Sequence, residues 1–143
     1  MCRNYSEVYV RYAKYSVNEI REAYEYSQKM FQETGKWPRI EFGDHKVKLA
    51  SDRYQNFFEN GTECIQCGIK GEYFWLETDS NKKGMPTDNW HFNLYGTDDN
   101  GKEMMLTKDH IKPKSKGGKN HVSNYQCMCE RCNHKKADKY EEG

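Results

Sequence analysis

Two Cys-x-x-Cys pairs, Cys64-Ile-Gln-Cys67 and Cys129-Glu-Arg-Cys132, constrain this chain more than any other feature. Cysteines at that spacing turn two sulfurs toward one point, and two such pairs supply the four thiolates of a closed tetrahedral zinc site. The pairs lie far apart in sequence, so one ion joining them would clamp the middle of the chain to its last quarter. Cys127 stands close enough to Cys129 to compete as a ligand, but the spacing from Cys129 to Cys132 repeats that of the upstream pair. Cys64, Cys67, Cys129 and Cys132 are therefore expected to be the structural zinc ligands, with Cys2 and Cys127 outside the set. Four protein ligands leave no position for water, so hydrolytic chemistry would need a second ion.

Composition says why a clamp is needed. The chain has 143 residues, of which 35% are hydrophobic, and its mean hydropathy is -1.18. A core built from so few apolar residues is thin. Twenty aromatic side chains, eleven of them tyrosine, and a bound metal are the expected compensation. No apolar run approaches the eighteen or so residues of a membrane helix, and the first residues lack the hydrophobic segment of a signal peptide. A cytoplasmic location without membrane contact is expected. A reducing compartment also favours metal ligation over disulfides for these cysteines.

The net charge of +1 conceals an uneven distribution. Residues 64–100 carry 3 basic and 6 acidic side chains, whereas residues 101–143 carry 10 and 6. The basic excess includes Lys112, Lys114, Lys116, Lys119, Arg131, Lys135 and Lys136, a set that could attract a polyanion or could be a solvated loop. The charge over residues 1–60 is close to balanced, which argues against a broad electrostatic footprint there and favours a protein partner or a second copy of the chain.

Periodicity orders the remaining sequence. Ser16-Val-Asn-Glu19 is a capping box, and Ile20, Ala23, Tyr24, Ser27 and Phe31 recur at helical spacing until Gly35, which predicts a helix over about 17–34. Val47 and Leu49 hint at a strand or helix start. Ser51-Asp52 caps a second helix running to Asn60-Gly61. Glu72–Thr78, Trp90–Gly96 and Glu103–Lys108 read as strands, the last two joined as a hairpin through Asn100-Gly101. The polar stretch 79–89 reads as a loop, 124–129 as an extended segment and 130–139 as a helix.

The second strand of that hairpin leads into Asp109-His110, a carboxylate beside an imidazole, as metal-assisted phosphodiester cleavage requires. The residues Asp109-His110-Ile-x-Pro113, Gly117-Gly118, Asn124 and Cys129-x-x-Cys132-Asn133-x-x-Lys136, with the upstream cysteine pair, carry a resemblance. Over roughly 64–139 the chain resembles zinc-containing HNH endonucleases, the kind encoded by bacteriophages and mobile elements.

The resemblance implies an α+β fold in two parts. These are a helical N-terminal extension over 1–60 and a ββα-metal nuclease domain with its four-cysteine zinc site over 61–143. It implies cleavage of DNA in the bacterial cytoplasm with Mg²⁺ or Mn²⁺ as catalytic ion. His110 would be the general base, and Asn124 would orient the loop and the imidazole. Asp109 would bind the cation with Asn133, or alternatively His134, because adjacent helical residues point about 100° apart and only one can face Asp109. Lys114, Lys116, Lys119 and Lys136 would contact phosphate. Two other functions compete: a noncatalytic zinc module that binds nucleic acid or protein, and an RNA-cleaving nuclease of the same kind.

Overall fold

A computed structural model describes residues 9–137 and Lys139. Among them the order is β1 (Tyr9–Ser16), α1 (Val17–Thr34), β2 (Arg39–Phe42), β3 (His45–Lys48), α2 (Asp52–Asn60), β4 (Tyr73–Asp79), β5 (His91–Thr97), β6 (Glu103–His110), β7 (Tyr125–Cys129) and α3 (Glu130–Lys136). One antiparallel sheet runs β1-β4-β5-β6-β7, and β2 and β3 form a separate hairpin. Cys2 lies outside the described residues.

The local signals act where the sequence puts them. Ser16 Oγ accepts the Glu19 amide at 3.1 Å, a cap contributing about 1 kcal/mol, and Gly35 at φ 77° returns its amide to Phe31. Ile20, Tyr24 and Ser27 form the buried face of α1. Ala137, at φ 48°, ends α3 earlier than its sequence suggests.

The stretch 1–60 differs from the expected helical extension, because it also carries β1 and the β2–β3 hairpin. β1 pairs with β4 from Ser16↔Tyr73 to Tyr9↔Asp79 and is one edge of the main sheet. Ile20, Tyr24, Tyr54 and Phe57 share one hydrophobic cluster with Phe74, Leu76 and Phe92. A boundary at residue 60 therefore runs through one sheet and one core. The physical reason is economy of apolar surface: neither half alone has enough to cover the sheet.

The end of the sheet that carries His110 is shaped by a departure from regular pairing. The β5–β6 ladder ends at Leu94↔Leu106, while β5 continues along β4 to His91 and β6 continues along β7 to His110. Two residues of α2 occupy the parting. Tyr54 Oη accepts the Phe92 amide at 3.0 Å, and Arg53 donates to the Phe92 carbonyl at 2.8 Å and to Asn93 Oδ1 at 2.9 Å. These bonds satisfy backbone groups that would otherwise be orphaned where the strands separate.

On the sheet face bearing Asn93 lies a buried polar network. Glu77 is fully buried, and burial pushes its carboxyl above the usual range. Tyr95, Asn93 and Arg11 oppose that shift, with Asn93 Nδ2 donating at 2.8 Å and Arg11 Nε at 3.2 Å. Arg11 also holds Glu103, so the network ties the edge strand β1 to β4, β5 and β6.

Candidate active site and metal centre

The four expected cysteines come together. The sulfurs of Cys64, Cys67, Cys129 and Cys132 all lie within 4.8 Å of one another, and Cys67 and Cys129 are 3.7 Å apart. A tetrahedral ion with bonds of about 2.3 Å sets sulfur–sulfur separations of about 3.8 Å, so this donor set fits zinc. Local backbone geometry builds the cradle. Gly68, at φ 81°, closes the upstream turn by donating its amide to the Cys64 carbonyl at 3.0 Å, and Cys132 donates its amide to Cys129 Sγ at 3.4 Å. Burial raises the Cys64 thiol, but backbone bonds involving Cys129, Cys67 and Gln66 outweigh it and hold this thiol down at about 7. Cys127 is outside the cluster. It is packed in the core, and burial pushes its thiol up to about 12.

One residue beyond the cluster the chemistry changes. A cleft of about 290 Å³ is lined by Lys108, Asp109, His110, Pro113, Lys114, Asn133, Lys136 and Ala137. β6 extends through His110, so its end delivers Asp109 and His110, and α3 delivers Asn133 and Lys136. Asn133 borders both this cleft and a neighbouring depression lined by Tyr9, Met105, Thr107 and Glu130, whereas His134 borders only that depression. Of the two neighbouring helical residues, only Asn133 reaches the side of α3 that faces Asp109.

Asp109 is 6% exposed. Its Oδ2 meets Lys136 Nζ at 2.9 Å and accepts from Gln126 at 2.8 Å, while Oδ1 makes no hydrogen bond among the described residues. Asn133 uses its amide nitrogen on Thr107 Oγ1 at 2.9 Å, which leaves its oxygen as a donor atom. A carboxylate oxygen and an amide oxygen on one cleft suit a hard cation that completes its shell with water and phosphate. Lys136 also donates to the His110 carbonyl at 2.8 Å, so its ammonium is held by the protein and not directed outward like the other loop lysines.

His110 is half-buried, with its ring edge-on to Tyr125 at 5.0 Å. Its Nε2 lies 2.9 Å from Asn120 Oδ1. With that oxygen as acceptor, Nε2 carries the hydrogen and Nδ1 keeps the lone pair of a base.

Asn124 fastens the loop between β6 and β7. Its side chain accepts from the Lys112 amide at 2.9 Å and donates to the carbonyls of Lys112 and Lys119 at 3.0 and 2.9 Å. Gly118 is required in that loop, since a Cβ there would stand 1.7 Å from the Lys112 carbonyl oxygen. Lys114 borders the cleft, and Lys116 and Lys119 are exposed on the same loop. Arg131 instead pairs with Asp98 at 3.3 Å, and His121 caps a local turn at Ser123.

Four supporting residues carried no signal in the sequence for a role at this site. Asp52, at the start of α2, accepts from Lys108 at 2.8 Å and from the Tyr125 hydroxyl at 2.7 Å. Burial works against its charged form, yet those two bonds hold its carboxyl below the usual range. Asn56 donates to the Gln126 carbonyl at 3.3 Å, and Asn60 to the carbonyls of Val122 and Tyr125 at 2.9 and 3.0 Å. One side of α2 thus grips β7 and the turn before it. Asn120 is the fourth. Each acts across a long sequence separation or on a loop, where residue type alone is uninformative.

Residues 98–143 match the family described as HNH endonuclease. The match agrees with the resemblance carried by the motif from Asp109 to Lys136, and nuclease activity is supported at the level of that family. Comparison of the whole chain with curated proteins and with solved structures yields no match. Among the described residues, no helix is long and apolar enough to cross a membrane.

Proposed function

We propose that this chain is a metal-dependent endonuclease that hydrolyses DNA phosphodiester bonds, with β6, β7 and α3 as a ββα-metal core. The observation that carries the reading is the convergence of Asp109, His110 and Asn133 on one cleft, beside a closed four-cysteine cluster that has no coordination position left for chemistry. His110 Nδ1 takes the proton from the attacking water, and Asn120 and Tyr125 hold the ring in place. Asp109 and Asn133 hold Mg²⁺ or Mn²⁺ through oxygen. When bound, that ion supplies charge stabilisation at the scissile phosphate and the departing 3′ oxygen. Asn124 fixes the loop, and Lys114 faces the substrate. The four cysteines hold zinc as a structural ion.

Asn133 is preferred to His134 as the ligand because it shares the cleft with Asp109. The test is nicking of supercoiled plasmid by wild type and His110→Ala with Mg²⁺, Mn²⁺ or EDTA. Metal-dependent nicking by wild type, reduced by about 10²–10⁴ in the variant with its melting temperature retained, is the expected result. Equal activity of the two proteins would remove His110 from the mechanism.

A further inference from the structure

A second cavity, larger than the catalytic cleft, lies outside it. It has about 570 Å³ and opens between the β2–β3 hairpin and the start of β5. Arg39, Lys46, Lys48 and Arg53 line it together with Trp90 and His91. The hairpin places Arg39 directly across from Lys48, while the next outward pair, Glu41 and Lys46, neutralises itself at 3.9 Å. Like charges placed opposite each other on a two-stranded ribbon are destabilising. Among the described residues neither Arg39 nor Lys48 makes an ion pair, so their repulsion is not relieved by direct pairing with a carboxylate.

Trp90 adds aromatic surface. It is half-buried, and its ring lies against His45 at 4.1 Å and 36°, with Tyr12 edge-on behind both. Asp88 and Asp79 also line the cavity, with Asp88 accepting from Trp90 Nε1 at 3.3 Å and Asp79 from Asn89 at 3.5 Å, so four cations face two carboxylates and the lining keeps a positive excess. Adjacent residues of α2 connect the cavity to the catalytic cleft. Arg53 reaches the cavity, the neighbouring Asp52 holds Lys108, and Lys108 borders the Asp109 cleft.

We propose that this cavity holds a substrate nucleic-acid strand beside the scissile phosphate, with Arg39 and Lys48 on backbone phosphates and the Trp90–His45 pair as a stacking platform for a base. Cations that track the backbone together with an aromatic face are what a polynucleotide strand requires. The inference rests on the endonuclease reading for the identity of the strand, and it gives the hairpin a role in substrate binding in place of a protein contact.

The test measures fluorescence anisotropy of labelled 20-mers, single-stranded and duplex, with the full chain carrying His110→Ala so that binding is read without cleavage. Adding Arg39→Gln with Lys48→Gln should weaken binding about tenfold and flatten the dependence of log K on log salt by roughly 1 to 2. Trp90→Ala should weaken binding with no change in that slope. Lys29→Gln with Lys36→Gln, which removes two exposed charges away from the cavity, should leave affinity unchanged. Circular dichroism melts establish that each variant is folded, and Arg39→Lys with Lys48→Arg should restore binding.

Unchanged affinity in the Arg39/Lys48 variant, an equal loss in the Lys29/Lys36 control, or no binding by the parent would each overturn the proposal. A parent that binds through Arg39 and Lys48, in a protein whose wild type never nicks DNA, would instead overturn the endonuclease reading and leave the cavity assigned.

Discussion

The cysteine cluster and the Asp109 cleft meet at α3, yet they are built on opposite plans. The cluster is closed, with four like donors from two distant segments within 4.8 Å. The cleft offers one carboxylate oxygen and one amide oxygen and leaves the remainder of any coordination shell to water and substrate. Cys132 and Asn133 are consecutive, so the first turn of α3 gives one residue to the cluster and the next to the cleft. A closed site can stabilise a fold only because it is saturated, and an open site can act on a substrate only because it is not.

Removing the closed site should have the largest effect. Cys129→Ala, or stripping with a strong chelator, is expected to abolish the cooperative melt, because a structural zinc contributes on the order of 10 kcal/mol to domains of this kind. Differential scanning calorimetry with atomic absorption checks it. One zinc per wild-type chain is expected, and a variant melting within a few degrees of wild type would mean that the cluster is not the clamp.

At the open site the loss should fall on activity. Asn133→Ala is expected to lower nicking by about 10–100-fold and raise the Mg²⁺ concentration for half-maximal rate, whereas His134→Ala stays within about twofold. A reversed ranking would move the ligand to His134.

The smallest effect belongs to the support that joins α2 to the catalytic strand. Asp52→Asn should cost about three- to tenfold in rate and roughly 1 kcal/mol in stability, since it removes the charge that Lys108 and Tyr125 share. The carboxyl of Asp52 is held below its usual value of 3.8, so its contribution is present above that pH and lost as pH falls through the lowered folded value. Melts of wild type and variant should therefore converge in acid and separate toward neutrality. Parallel curves across that range would show that Asp52 acts through packing alone.

What could be read in the chain followed from local signals. The caps Ser16 and Gly35 bound α1, Asn100-Gly101 turns β5 into β6 with Gly101 at φ 77°, and the cysteine spacing carries its own geometry. β1 escaped because its alternation is interrupted by a register shift between Arg11 and Ala13 and because it runs into α1 at Ser16 without a loop. The β2–β3 hairpin did have a signal, the two-residue turn Gly43-Asp44 with Gly43 at φ 61°, but its strands are only four residues long. Asp52, Asn56 and Asn60 are ordinary polar residues on a helix until the fold carries them against residues 108–126, and no local pattern encodes that meeting.

The bond from the Phe92 amide to the Tyr54 hydroxyl has a dynamic consequence. In a regular ladder that proton would be protected by a neighbouring strand, and its exchange with solvent would report opening of the sheet. Here it is protected by a side chain of α2, so the exchange rate of this one amide measures how often α2 lifts away from the end that carries His110 while the rest of the sheet stays paired.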